Sequence, residues 1–153
     1  MEIQIGFGLN NIVFGMNEDE VIRMLGQPNK ISYTEREGFV VYYYNAQMIK
    51  LNFDEEKDYK LYTIEVFNST IRIFEEDVIS LNKDAIIRIL HDNGLKEFEI
   101  EDFEFFETIF CERIWTTFRF EFDKLKSIEF SPLYDDFDNI IWPYQINTQP
   151  HCY

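Results

Sequence analysis

Two blocks of this sequence recur in the same order, and that recurrence limits the folds open to the chain more than any single motif does. Residues 13–26 read Val-Phe-Gly-Met-Asn-Glu-Asp-Glu-Val-Ile-Arg-Met-Leu-Gly, and residues 78–90 read Val-Ile-Ser-Leu-Asn-Lys-Asp-Ala-Ile-Ile-Arg-Ile-Leu. At the constant offset of 65 (78 − 13), Val, Asn, Asp, Ile, Arg and Leu coincide. Further on, Ile49-Lys50-Leu51-Asn52-Phe53-Asp54 matches Phe118-Arg119-Phe120-Glu121-Phe122-Asp123, and residues 60–66 match residues 124–130. The offset falls from 69 to 64 between these two matches, because residues 55–59 lengthen the first copy by five. Length changes of that kind belong in hairpin loops.

Each block has a physical reading. Asn17 and Asn82 are N-caps, since a short side-chain carbonyl accepts from the exposed N–H groups of a first turn. Glu20 stands at the capping-box position. Val21, Met24 and Leu25, and then Ile86, Ile89 and Leu90, form apolar stripes at helical spacing. Gly26 with Pro28, and Asn93-Gly94, stop these helices, which are expected at residues 18–25 and 83–92. Ile49, Leu51 and Phe53 alternate with Lys50 and Asn52, and Phe118, Phe120 and Phe122 alternate with Arg119 and Glu121, as in strands with one buried face. Residues 39–44 and 103–110 supply the preceding strands. The expected class is α+β: a tandem repeat of a helix followed by antiparallel strands, with both helices packed on one face of the sheet and the other face open. The expected organisation is a single domain over 1–153, with repeats at about 10–67 and 76–131 and a C-terminal segment at 132–153.

Composition narrows the function. The chain has 29 acidic and 14 basic residues, a formal charge of −15. Such a polyanion repels nucleic acid and anionic lipid and attracts basic proteins. No basic leader and no long apolar run follow Met1, so a cytoplasmic protein without a membrane span is expected. Two cysteines, Cys111 and Cys152, make no disulfide framework and suit a reducing compartment.

Catalytic chemistry is sparse. His91 closes the second helix, and His151 precedes Cys152 in a terminal run that is a poor scaffold for a nucleophile. Two His and two Cys fall short of a structural zinc pattern. Asp135-Asp136-Phe137-Asp138 lacks the glycine and the terminal glutamate of a calcium loop. Gly6-Phe7-Gly8 is not a phosphate fingerprint. No enzyme activity, cofactor or metal is expected.

The run Phe14-Gly15-Met16-Asn17, through Glu20-Val21 to Leu25-Gly26-Gln27-Pro28, resembles the opening of small helix-then-sheet repeats. These occur in the beta-lactamase inhibitor protein fold and in SmpA/OmlA-like outer-membrane assembly lipoproteins. The whole chain also resembles the small acidic immunity proteins encoded beside bacterial polymorphic and contact-dependent toxins. That resemblance implies an antitoxin that binds a basic, nuclease-like toxin domain and blocks it, touching neither nucleic acid nor membrane itself. A generic protein-interaction module with no toxin partner and a small carboxylate enzyme are the other readings.

Strand parity selects the expected binding surface. If Phe118, Phe120 and Phe122 face the helices, then Trp115, Arg119 and Glu121 face away, with Lys50, Glu65 and Glu129 on matching strands. Trp115 is the expected anchor, unless the segment around Trp142 covers it. The acidic clusters Glu101, Asp102 and Glu104, and Asp135, Asp136 and Asp138, complete the candidate set.

Overall fold

The computed structural model describes residues 1–144. Strands β1 (Ile3–Gln4), β2 (Gly8–Leu9) and β3 (Ile12–Val13) form a small antiparallel sheet. Helix α1 (Glu18–Leu25) leads into β4 (Lys30–Thr34), β5 (Phe39–Tyr44), β6 (Ile49–Asp54) and β7 (Lys60–Val66). A short hairpin of β8 (Arg72–Ile73) and β9 (Glu76–Asp77) follows. Helix α2 (Lys83–Asp92) then leads into β10 (Glu99–Asp102), β11 (Glu107–Cys111), β12 (Thr116–Glu121) and β13 (Lys124–Phe130).

Both helices begin where their caps place them. The Asn17 side-chain oxygen accepts the Glu20 N–H at 2.9 Å, and the Glu20 carboxylate accepts the Asn17 N–H at 3.0 Å. Asn82 accepts the Ala85 N–H at 2.8 Å. The eight longer strands form one sheet in the order β10-β11-β12-β13-β7-β6-β5-β4, every neighbouring pair antiparallel.

The α+β tandem-repeat class is overturned by this architecture, which is mostly β and is dominated by one large antiparallel sheet. Two features account for the difference. The last strands, β7 and β13, pair with each other through Ile128↔Val66 and Phe130↔Ile64, so the strands merge into one continuous sheet. The helices, of 8 and 10 residues, are about 12 and 15 Å long at 1.5 Å per residue. A sheet of eight strands is roughly 34 Å across at about 4.8 Å per strand gap. Two such helices cannot form its cover. Val21 is the one buried residue of α1, and Met24 of its expected stripe is 47% exposed.

The buried face of the sheet packs instead against a composite layer. Ile3, Leu9 and Ile12 come from the small sheet, Ile71, Ile73 and Val78 from the hairpin region, and Phe14 and Met16 from the approach to α1. Val21 and α2's Ile86, Ile89 and Leu90 complete it. Residues 103–110, expected as one strand, instead contain a turn, and the strand before it is the acidic β10.

Candidate docking face

Alternation assigns each strand side chain to one of two faces. Leu51, Phe53, Ile64, Val66, Phe118, Phe120, Ile128 and Phe130 face the core and are buried. The opposite face is crossed by a row to which all eight strands contribute in register: Lys30, Tyr43, Lys50, Glu65, Glu129, Thr117, Phe110 and Glu99. Of the expected surface set, Lys50, Glu65 and Glu129 lie together at its centre.

There β7 and β13 set Glu65 directly opposite Glu129. Like charges so placed are destabilising. Lys50 pairs with Glu65, Nζ to Oε1 3.5 Å, and lies 5.5 Å from the centre of the Tyr43 ring. Glu129 retains solvent access, yet its carboxyl is pushed above the usual carboxylate range. Desolvation is the first cause and the charge of Glu65 the second, with Lys50 opposing both.

This raised value fixes a sign. Between the unfolded titration range and the higher folded one, the native state holds more proton, so stability falls as pH rises through that window. Glu129→Gln is expected to remove the decline. Solvent screening limits the gain at neutral pH to a few tenths up to about 1 kcal/mol. Urea midpoints of the two proteins should converge at acid pH. A variant no more stable than the parent at neutral pH would show that the repulsion is fully screened.

The two ends of the face differ. At one end Trp115 is not an outward strand residue, as parity had placed it. It closes a 3-10 turn (Glu112–Ile114) with φ of 45° and lies half-buried between Phe110 and Tyr134, ring centroids 5.6 and 5.1 Å away. The Tyr134 hydroxyl meets that of Tyr62 at 2.5 Å, and Trp142 packs on Tyr62 edge-on. The C-terminal segment thus covers this end, chiefly through Tyr134 where Trp142 was expected. Trp115→Ala is expected to cost about 1–2 kcal/mol through lost aromatic packing. A thermal melt unchanged by the substitution would restore Trp115 as a free anchor.

At the other end Arg119 spans 3.9 Å to the Phe106 ring centre and 3.5 Å from Nε to Glu121. Asp102, Glu104, Arg119 and Glu121 all line one hollow there, and Glu101 lies on the same outward face beside Thr108. Phe122, expected to be buried beside Phe118 and Phe120, is 95% exposed. It and Asp123 form the two-residue turn between Glu121 and Lys124, with φ of 51° and 56°. Sequence reasoning missed Phe105, Phe122 and Tyr43 as surface aromatics. The signal for Phe122 was present: the second copy lacks the five inserted residues, which leaves only a tight turn there.

Asp135, Asp136 and Asp138 stand apart from the sheet face in an exposed turn. Asp135 organises it, accepting the N–H groups of Asn139 (3.0 Å) and Phe137 (2.8 Å), which hold its carboxyl below the usual range. Among the described residues, no three His, Cys, Asp or Glu side chains gather closely enough to hold a metal. No described helix is long and apolar enough to cross a membrane. Cys111 is a buried free thiol, raised by desolvation; His151 and Cys152 lie outside the described residues.

No protein-family model matches the chain, and no curated protein matches it. Among solved structures it is similar to an extracellular protein containing a SCP domain from Bacillus anthracis strain Ames, at 12% identity and a TM-score of 0.48. The match covers 77% of this chain and 43% of that one, so the chain spans less than half the length of that protein. A likeness this distant carries no inference about fold or function.

Proposed function

We propose that the chain is an immunity protein that binds a basic toxin domain and blocks it, within the cell that makes both. The observation supporting this reading is the row across the open sheet face, where two carboxylates oppose each other at the centre of a chain of charge −15. An arriving Lys or Arg relieves the Glu65–Glu129 repulsion, so the folded state is less stable alone than when bound. The charge of the whole chain steers such a partner inward and speeds encounter.

The test is co-purification with the toxin-domain product of the neighbouring gene, followed by rescue of cells expressing that toxin. Binding together with rescue supports the reading. Binding without rescue would favour an interaction module of another purpose. Absence of both would sink the immunity assignment.

A further inference from the structure

We propose that the hollow between the β10–β11 and β12–β13 hairpin tips is the anchoring pocket for the basic partner, taking one apolar side chain from a protein surface whose neighbouring residues are Lys or Arg. This rests on the reading that the chain binds a basic protein, and it names where the partner's apolar contact goes.

Three phenylalanines are presented at this end. Phe105 is 79% exposed and Phe122 is 95% exposed, while Phe103 stacks on Phe106 at 4.6 Å. Phe103 is held by that stack, whereas Phe105 and Phe122 leave most of their rings in water. A two-residue turn with positive φ at both positions favours Asn and Gly. Phe122 occupies the first of these positions, where a bulky residue is strained, and its ring touches water almost everywhere. An outlier of that kind, held at an exposed tip, is what binding sites retain. The floor is already ordered: Phe103, Phe106, Arg119 and Glu121 form one continuous stack and ion pair. Preorganisation of this sort reduces the entropy lost on binding. The hollow is about 470 Å³.

Charge selects the occupant. Five acids, among them Glu104 and Asp123 beside the exposed rings, and one arginine line the hollow. Glu107 is neutralised by Lys83 at 2.6 Å, and Glu121 by Arg119. Among the described residues, Asp102, Glu104 and Asp123 have no cation in ion-pair contact, although the Lys83 charge acts on Asp102 and Asp123 and Asp123 accepts the Lys83 backbone N–H at 3.1 Å. A second copy would bring two such rims and two charges of −15 together. Insertion into lipid would bury Glu104 and Asp123 along with the rings. A basic protein surface satisfies both the rim and the rings, as an aromatic anchor inside a charged rim does at tight interfaces.

The probes are labelled peptides with a central Trp flanked by lysines, the same peptide with a central Ala, and one with the Trp flanked by glutamates. The lysine–tryptophan peptide should bind, and either replacement should weaken it about tenfold or more. Phe105→Ser and Phe122→Asn should each weaken it to the same degree, while Phe122→Asn leaves the melting temperature equal or higher. Tyr33→Ser, on the far edge strand β4, should change nothing. Equal binding of the Ala peptide, or full binding by both Phe variants, would overturn the pocket. So would partition into phosphatidylcholine vesicles that the Phe variants abolish. If the neighbouring toxin is blocked equally well by the Phe variants, the pocket is wrong and the immunity reading stands. If the peptide is captured in the hollow but the toxin is not bound, the pocket stands and the immunity reading falls.

Discussion

Phe130→Ala is expected to destabilise the protein by about 3–5 kcal/mol, a larger loss than any truncation on α1 should cause. Phe130 is 1% exposed, lies opposite Ile64 across the seam where β7 and β13 join, and meets the Phe14 ring edge-on at 5.4 Å. It therefore ties the two four-strand runs together and fixes the approach to α1 against them. Removing the ring leaves a cavity that the paired strands on both sides cannot close. Leu25→Ala, on the half-buried side of α1, should cost under about 2 kcal/mol, because less apolar surface returns to water. Urea unfolding with unchanged m-values would measure both. Equal losses would mean that the helices hold the fold together, contrary to a sheet-centred core.

The second large effect is on association. The rate at which a basic toxin domain binds should fall about ten- to a thousandfold from low to high salt, since steering by −15 charges is screened as ions are added. Glu129→Gln should slow binding further while making the free protein more stable, because it removes the Glu65–Glu129 repulsion without setting a cation near Lys50. Stopped-flow fluorescence and a thermal melt read the two changes separately. Opposite signs are the outcome expected of a charge placed for a partner. A variant that gains stability and binds as fast as the parent would show that Glu129 is remote from the interface.

Much of the local structure was legible. The Asn17 and Asn82 caps set the helix starts because capping is a matter of neighbouring residues. Strands β5 and β6 were marked by alternation, which needs only a buried and an exposed face. Non-local pairing was not legible. Nothing in residues 60–66 or 124–130 alone indicates that they pair with each other, and that pairing turned an expected layered α+β protein into a single sheet. Strand β10 was hidden because Glu99, Glu101 and Asp102 are poor strand formers, yet charge is what protects an edge strand from unwanted partners. Parity placed Arg119 correctly because the strand runs through it. It failed at Phe122 because the strand ends at Glu121, and at Trp115 because a left-handed residue interrupts the alternation before β12.

The expected binding set divided for the same reason. Lys50, Glu65, Glu129 and Arg119 share a face because each sits inside a regular strand. Asp135, Asp136 and Asp138 follow the last strand, where composition says only that a turn is acidic. Charge clusters mark solvent exposure in a sequence; which of them face the same way depends on topology.

Hydroxyl-radical footprinting of the chain, free and bound to the basic toxin domain, tests the central claim most directly. It reads aromatic side chains and methionines, which lie on both sides of the molecule. Tyr43, Phe105 and Phe122 should be protected in the complex, while Phe7 and Met24, exposed on the covering layer, should react as in the free protein. Protection confined to Phe7 and Met24, with Tyr43, Phe105 and Phe122 still fully reactive, would contradict the assignment of the open sheet face and its hairpin-tip hollow as the docking surface.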